Sequence, residues 1–285
     1  MNNVNPKISV MMTVYNAEKY IREAIESILN QTFSDFEFII LDDHSTDNSY
    51  EIINEYAKRD NRILVLSNEK NLGIAESRTK CIKYAKGKYI AIADADDISV
   101  PTRFEKQLKY LEKHKECGVV GSFIQLFDSE TGKIIGSRKY YEDDVRIRKR
   151  IFIYSPIAQP ASMIRKEVFD YIGFYNPEYP PVEDLDIWFR LGTKYKFANI
   201  QEVLLNYRVH QNSATIKNMH RIKILTLQIR QKYIKNYGYS CTFFDRIFLV
   251  FLSITRSISP GKLTFQIFSF FRDQKYSKII QFIRK

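Results

Sequence analysis

Residues 89–97 read Tyr-Ile-Ala-Ile-Ala-Asp-Ala-Asp-Asp, so a short, mostly apolar run leads directly into three carboxylates within four positions. The apolar part has the length of a buried strand, and open α/β sheets bind ligands at the carboxyl ends of their parallel strands. Carboxylates this close repel one another unless a cation lies among them, which favours a divalent metal. A polar turn in which Asp97 or Ser99 caps the following helix explains the same residues equally well.

An EF-hand calcium loop is excluded, although Asp94, Asp96 and Glu105 occupy its first, third and twelfth positions. That loop requires an oxygen ligand at its fifth position and glycine at its sixth. The chain has Ile98 and Ser99 there. The acidic cluster is therefore interpreted as the end of a strand.

The amino-terminal part of the chain alternates between strand-like and helix-like patterns. Apolar runs predict strands at residues 7–13, 36–41, 63–66 and 89–93. The segments between them carry apolar residues at helical spacing, the first at residues 18–30. This alternation predicts an α/β fold, a mostly parallel sheet flanked by helices and connected by right-handed crossovers.

The pattern is less regular beyond Asp97. Helices are predicted at residues 102–115 and 143–153, with a strand at 119–127 between them. Residues 158–164 are expected to form a strand or loop that lines a cleft, and residues 183–190 a further helix. The sequence contains no internal repeat and no low-complexity segment.

The positive charge is concentrated in the last part of the chain. The formal net charge is +11, and residues 217–285 carry fourteen Lys and Arg against Asp245 and Asp273. The rest of the chain is nearly neutral. We therefore predict a catalytic domain at residues 1–216 and a basic, apolar, helical C-terminal extension at residues 217–285.

The extension alternates basic residues with bulky apolar ones, and residues 222–233, 243–258 and 263–271 are each expected to be helical. Only nine residues separate Arg246 from Arg256, fewer than the roughly 20 that a membrane-spanning helix needs. So many bulky apolar residues favour contact with an anionic membrane surface over nucleic acid. A helical subdomain or a dimer interface is the alternative.

The cysteines and the N-terminus both predict a cytoplasmic protein. Cys81, Cys117 and Cys241 are scattered and odd in number, and they lack the spacing of metal ligands, which is typical of reduced thiols. The apolar run that starts at Ile8 breaks at residues 13–16, too early for a signal peptide.

Three of the predicted strands end in polar clusters, at residues 13–16, 42–43 and 94–97. In a parallel sheet these ends lie along one edge, so the clusters are expected to converge on one cleft, which strengthens the metal interpretation. Neither a G-x-G-x-x-G motif nor a P-loop is present. A nucleotide bound there would need side chains and a metal: Asp43 can accept from a base N–H, and Asp96 can bind Mg²⁺ or Mn²⁺ on a diphosphate.

Several motifs resemble the inverting family 2 glycosyltransferases with a GT-A fold, and they keep the family's order over residues 8–210. They are Ser-Val-Met-Met-Thr-Val-Tyr-Asn (9–16), Ser-Ile-Leu-Asn-Gln-Thr (27–32), Phe-Glu-Phe-Ile-Ile-Leu-Asp-Asp-His-Ser-Thr-Asp (36–47), Asn-Leu-Gly (71–73), Asp-Ala-Asp-Asp (94–97), and Glu-Asp before Trp-Phe-Arg (183–190). The chain departs from the family at His44, where glycine is commoner. His44 is expected to tolerate the turn.

The resemblance implies transfer of a sugar from a nucleotide diphosphate donor, usually UDP-linked, with inversion at the anomeric carbon. Residues that match the family's donor-binding positions are Thr13 and Asp43 at the base, Tyr15 and Asn16 in the same turn, and Asp94 at the ribose. Asp96 matches the metal ligand. Arg78, which follows the Asn-Leu-Gly loop, is a candidate donor contact, and it could equally be a solvated arginine.

Asp184 matches the family's catalytic base, and Glu183 is its leading substitute. A carboxylate that merely stabilises the start of a helix is the structural alternative for Asp184. His210 belongs to the segment Tyr207-Arg208-Val209-His210, which resembles a family segment near the diphosphate, and it is either a further metal ligand or structural. Trp188 is predicted to lie in the core.

The resemblance therefore implies a hexosyl- or N-acetylhexosaminyltransferase that uses Mn²⁺ or Mg²⁺, and the basic, apolar tail predicts that it acts at the cytoplasmic face of the cell membrane. A lipid-linked glycan for bacterial surface polysaccharide is the expected acceptor. One alternative is a sugar-nucleotide nucleotidyltransferase, which would require a glycine-rich loop after its first strand that this sequence lacks. The other is a non-catalytic nucleotide-sugar-binding or scaffolding subunit.

Overall fold

The computed structural model describes residues 5–211, 213, 218–235, 239, 241–243, 245–247, 249 and 250. The amino-terminal half of the sheet is parallel, in the order β3-β2-β1-β4. Its strands are β1 (Ile8–Val14), β2 (Phe36–Asp42), β3 (Ile63–Ser67) and β4 (Tyr89–Asp94). The connecting helices are α1 (Ile21–Leu29), α2 (Ser49–Ala57) and α3 (Ile74–Tyr84). This is the predicted βα alternation.

The second half extends the sheet beyond β4. Its elements are β5 (Ile98–Ser99), α4 (Arg103–Lys113), β6 (Cys117–Asp128), β7 (Ile134–Arg138), α5 (Asp144–Arg148), β8 (Met163–Arg165), α6 (Glu167–Ile172), α7 (Glu183–Leu191), β9 (Lys196–Val209) and α8 (Met219–Lys235). The sheet continues β4-β8-β6-β9-β5, and β7 pairs with β6. The short β8 is antiparallel to both its neighbours, whereas β6 and β9 run parallel to each other.

One prediction in this half was wrong, and one strand was missed. The charged helix expected at residues 143–153 is only α5, because bonds from Arg150 to Ile147 and from Ile153 to Arg150 turn the chain tightly after it. The long strand β9 was not predicted. Its register against β6 shifts between Ser122 and Ile124, and such irregularity disrupts the period-two pattern that marks a strand.

The apolar side chains form one layer on each face of the sheet. In β1, Val10 and Met12 face a core made with α1, α2 and α4, while Met11 faces a core made with α3, α6, α7 and α8. This follows from the alternation of side chains along a strand. The helices that carry candidate site residues therefore pack on a fixed platform.

The start of the C-terminal extension is helical, as predicted, since α8 spans Met219–Lys235. No helix within the described ranges is both long enough and apolar enough to span a membrane. The predicted helical segment at residues 263–271, and residues 251–258 of the preceding one, lie outside the described residues.

Gly87 lies against β1 just before β4 begins. A Cβ atom added there would lie 2.5 Å from the backbone nitrogen of Ser9 and 2.6 Å from the carbonyl carbon of Ile8. Its own N–H donates to the Ser9 hydroxyl at 2.8 Å. The close approach of the β4 lead-in to β1 therefore requires glycine.

We expect Gly87→Ala to lower the free energy of unfolding by about 2 kcal/mol or more, because backbone atoms must move to admit the methyl group. Urea unfolding would measure the loss. Gly132→Ala is the control, since nothing lies within 4 Å of its added Cβ and the cost is only that of a φ of +67° in a non-glycine residue, about 1 kcal/mol. Equal losses in the two variants would contradict the steric explanation.

Candidate active site

The ends of β1, β2 and β4 lie along one edge of the sheet. Within β1, Thr13 is in register with Asp94 of β4 and with Leu41 of β2. Asp43, directly after β2, donates its N–H to the carbonyl of Val14 at 2.7 Å. Parallel pairing thus brings Thr13, Asp43 and Asp94 to the same edge, where an open α/β sheet binds ligands.

The carboxylate of Asp43 holds the loop that leads into α3. It accepts hydrogen bonds from the Asn68 side chain at 2.7 Å, from the N–H of Leu72 at 2.9 Å and from the N–H of Gly73 at 2.8 Å. A carboxylate offers about four lone-pair sites, so three are occupied by the protein. Asp43 orders this loop and keeps about one site for a ligand.

Asn16 connects the loops that follow β1 and β2. Its side-chain oxygen accepts from the N–H of Thr46 at 2.8 Å, and its own N–H donates to the Ser45 hydroxyl at 3.1 Å. Asn16 and His44 both have positive φ, 52° and 62°, so His44 does tolerate a left-handed turn, as predicted. Tyr15 directly precedes Asn16, and its side chain is exposed at the edge of the sheet.

Arg78 of α3 joins the end of β4 to the start of α7. Its buried guanidinium donates to Asp94 at 2.9 Å and to Glu183 at 2.5 Å. The centroid of the Tyr175 ring lies 5.8 Å from Cζ of Arg78, and the Tyr175 hydroxyl accepts from the Gln159 side chain at 2.9 Å. Arg78 is therefore a buried bridge between two carboxylates rather than a solvated arginine.

The two carboxyl groups that begin α7 have different surroundings. Glu183 is buried, and burial raises its pKa, although Arg78 acts in the opposite direction. Asp184 is half-buried and accepts from the N–H of Leu185 at 2.8 Å. Burial, followed by the charge of Glu183, raises the pKa of Asp184 to about 7. Asp184 can therefore take up or release a proton near neutral pH.

Asp96 and His210 form a second pair in the site. The Nε2 atom of His210, the residue after β9, lies 2.9 Å from Oδ2 of Asp96. The His210 ring packs 4.8 Å from that of Tyr20. Within the described part of the chain, no three His, Cys, Asp or Glu side chains are arranged to hold a metal.

This pair nevertheless fits a divalent metal. The 2.9 Å contact between the Asp96 oxygen and the His210 nitrogen is a hydrogen bond, and an ion bound by both groups would replace it. Adjacent ligands of an octahedral ion, each at about 2.1 Å, lie roughly 3 Å apart, so the two groups would need to move little. Mg²⁺ and Mn²⁺ commonly take few protein ligands and complete their shells with phosphate oxygens and water. An imidazole ligand favours Mn²⁺, because Mg²⁺ prefers oxygen.

Arg208 holds the turn that carries these acidic residues, and no role was predicted for it. Its N–H donates to Asp97 at 2.9 Å and its Nε to the carbonyl of Asp96 at 2.8 Å. Its Nη2 donates to Glu23 of α1 at 2.9 Å. The carboxyl of Asp97 is buried beneath Arg208. In the sequence, the importance of Arg208 could have been suspected only from its position two residues before His210.

The predicted site residues thus form connected groups. Direct contacts join Arg78 to Asp94 and Glu183, and Asp96 to His210. Asp184 follows Glu183 at the start of α7. Asn16 and Asp43 hold loops at the same edge, while Tyr15 points to solvent. Trp188 is fully buried, as predicted.

Residues 9–173, more than half of the chain, match the family described as glycosyl transferase family 2. An uncharacterized glycosyltransferase of Methanocaldococcus jannaschii is 36% identical over 255 residues, covering 87% of each chain. The O-antigen biosynthesis glycosyltransferase WbnJ of Escherichia coli is 35% identical, covering 72% of this chain and 81% of WbnJ.

Two solved structures share the fold at low sequence identity. S. aureus TarS, residues 1–349 with UDP-GlcNAc, has a TM-score of 0.68 at 20% identity and covers 89% of this chain and 73% of its own. The mannosyltransferase PcManGT of Pyrobaculum calidifontis, with GDP-Man and Mn²⁺, has a TM-score of 0.65 at 13% identity, with coverages of 94% and 74%. The GT-A-like α/β fold expected from the sequence is confirmed, and the chain belongs to glycosyl transferase family 2.

Proposed function

We propose that this glycosyltransferase moves a sugar from a nucleotide diphosphate donor, UDP-linked, onto a glycan hydroxyl with inversion at the anomeric carbon. The observation that carries the proposal is the Arg78 bridge, which joins Asp94 at the donor edge of the sheet to the Glu183-Asp184 pair. The UDP-GlcNAc in the related fold of TarS supports the choice of donor. A hexose or an N-acetylhexosamine is the proposed sugar.

Asp184 is the proposed base. One oxygen of Glu183 accepts from Arg78, whereas Asp184 accepts from the adjacent Leu185 N–H and has a pKa of about 7. A base with a pKa near the working pH combines the correct ionisation with a useful proton affinity. Asp184 would take the proton from the acceptor hydroxyl while its oxygen attacks the anomeric carbon opposite the leaving diphosphate. One displacement of this kind inverts the configuration.

The donor would lie along the carboxyl edge of the sheet. The exposed ring of Tyr15 offers a stacking surface for the base, and Thr13 and the remaining lone pair of Asp43 offer polar contacts. Asp94 faces the ribose and is held in place by Arg78. Asn16 contributes by shaping the turn, since its amide oxygen already accepts from Thr46. Arg78 acts through Asp94 in this arrangement.

Asp96 and His210 would hold Mn²⁺, or less favourably Mg²⁺, beside the diphosphate. Such an ion offsets the negative charge that develops on the departing nucleotide. The Mn²⁺ in the related fold of PcManGT supports this cofactor. Arg208 keeps Asp96 in place, because it binds the carbonyl of Asp96 and the side chain of Asp97.

The proposed acceptor is a lipid-linked glycan at the cytoplasmic face of the membrane. The role of WbnJ in O-antigen biosynthesis supports a polysaccharide product. In the extension, Phe243, Ile247 and Val250 are spaced four and three residues apart and are all exposed. An exposed apolar stripe in a basic segment suits the surface of an anionic membrane.

We expect Asp184→Asn to lower turnover by about a thousandfold while UDP still binds, since only the proton acceptor is lost. UDP release with a panel of UDP-sugars, Mn²⁺ and extracted lipid-linked glycans measures transfer, and calorimetry measures UDP binding. Asp170→Asn, an exposed carboxyl on α6, is the control. Near-normal transfer by Asp184→Asn would show that another group is the base. A product anomer that retains the donor's configuration would rule out inversion.

The pH profile tests the same assignment. Below pH 7 the raised pKa keeps Asp184 protonated and unable to accept a proton, whereas above it the carboxylate is present. We expect kcat/KM to fall about tenfold per pH unit on the acid side of an apparent pKa near 7. A profile that stays flat down to about pH 5 would place the base at an ordinary carboxyl group.

The metal site can be tested by titrating the chain with Mn²⁺ in the presence of UDP and following free Mn²⁺ by electron paramagnetic resonance. We expect His210→Ala and Asp96→Asn each to weaken Mn²⁺ binding by about tenfold or more, because each removes one of two protein ligands. His220→Ala, an exposed histidine on α8, should leave binding unchanged. Unchanged affinity in both ligand variants would place the ion elsewhere.

Membrane contact can be tested by sedimentation with vesicles of phosphatidylglycerol and phosphatidylcholine. Removing residues 251–285 deletes seven basic residues and most of the apolar tail but keeps α8. We expect the shortened chain to lose binding to anionic vesicles and the full chain to bind less at high salt. Binding that survives both changes would contradict a role for the tail at the membrane.

A further inference from the structure

The proposed base, Asp184, lies on α7, and α8 of the C-terminal extension packs against this helix. The ring of Tyr233 on α8 stacks on Phe189 of α7, with centroids 4.7 Å apart and planes 3° from parallel. Its hydroxyl donates to Oδ1 of Asp186 at 2.8 Å. Tyr233 is fully buried and Asp186 almost so. This contact is therefore a specific polar bond inside a packed interface.

Asp186 also connects α7 to the segment before Tyr175. Its Oδ2 accepts from Nε of Arg190 at 2.8 Å, one helical turn further on. Arg190 in turn donates to the carbonyl oxygens of Ile172 and Phe174. Tyr175, the next residue, packs against Arg78. Asp186 thus accepts from Tyr233 of α8 and from Arg190 of α7. Through Arg190 and the segment that ends at Tyr175, it is connected to Arg78.

Two polar contacts, together with the buried apolar face of α7, set the orientation of this helix. Successive residues of an α-helix are about 100° apart, so Asp184 and Asp186 point in directions about 160° apart. The Arg78–Glu183 bond holds the first residue of the helix, and the Tyr233–Asp186 bond adds a constraint from α8 within the same turn as Asp184. Loss of the second bond leaves the packed core in place, and it is expected to shift the first turn, which changes the direction of Asp184.

We propose that Tyr233, acting through Asp186, is a positioning residue for the base Asp184. The first helix of the C-terminal extension then belongs to the catalytic machinery, whatever the residues after it bind. The inference rests on the proposed function, because it assumes that Asp184 accepts the acceptor's proton.

The test is Tyr233→Phe in the full chain, which removes one hydroxyl and keeps the stacked ring. We expect kcat to fall by about tenfold to a hundredfold, because small misplacements of a reacting group are costly, while the KM for the nucleotide sugar stays the same. Rates are expressed per UDP-binding site, so loss of folded protein does not count. Tyr171→Phe, an exposed tyrosine on α6, should keep the wild-type rate.

A double-mutant cycle with Asp186→Asn shows whether the two groups act as one. Each variant should lower kcat, and the double variant should lose clearly less than the product of the two losses. Losses that multiply, or a wild-type kcat in Tyr233→Phe, overturn the proposal. A rise in KM without a change in kcat also overturns it, because that pattern indicates weaker binding rather than a misplaced base.

Hydrogen exchange of the peptide covering residues 183–191 separates this proposal from the proposed function. We expect faster exchange of that peptide in Tyr233→Phe and no change in Tyr171→Phe. If the wild-type chain transfers no sugar from any donor, the proposed function fails. Hydrogen exchange alone then tests whether the Tyr233–Asp186 bond restrains α7. Unchanged exchange in Tyr233→Phe then overturns the positioning role.

Discussion

The site depends on one buried cation shared between two carboxylates. The guanidinium of Arg78 comes from α3, Asp94 from the end of β4 and Glu183 from the start of α7, so the bridge joins both halves of the fold. Removing one partner of a buried ion pair leaves an uncompensated charge, which costs about 3–5 kcal/mol. The bridge therefore fixes the distance between the proposed donor side and the proposed base.

The bridge does not neutralise the site. Asp94 and Glu183 share the one guanidinium of Arg78, while Asp96 and Asp184 add further carboxyl groups at the same edge and Arg208 brings a second guanidinium. An anionic diphosphate would be repelled by this edge unless a cation accompanied it. A carboxylate and an imidazole held 2.9 Å apart at this edge, Asp96 and His210, are the groups proposed to hold such a cation.

The carboxyl groups of the site differ in the groups that bind them. These hydrogen-bond and ion-pair partners could not be predicted from the sequence. The positions of β1 to β4 and the convergence of their polar ends followed from apolar periodicity and parallel pairing. The pairing of Glu183 with Arg78 did not, because Arg78 lies about a hundred residues away in sequence. Asp43 was expected to bind a ligand, and the structure shows that three of its hydrogen bonds instead go to the loop before α3, which leaves about one lone-pair site. Arg208 was overlooked for the same reason, since its importance lies in contacts with Glu23, Asp96 and Asp97.

The C-terminal extension combines two physical roles that its composition alone does not separate. Its charge predicts a membrane surface, but part of that charge is unavailable: Arg230 is fully buried, and burial lowers its pKa to about 9. Lys232 is likewise drawn towards Asp186, at 3.6 Å. Lys232 thus contributes to the contact between α8 and α7, whereas Arg221 on the same helix is exposed. The charge of the extension is therefore divided between packing within the fold and groups that remain open to solvent.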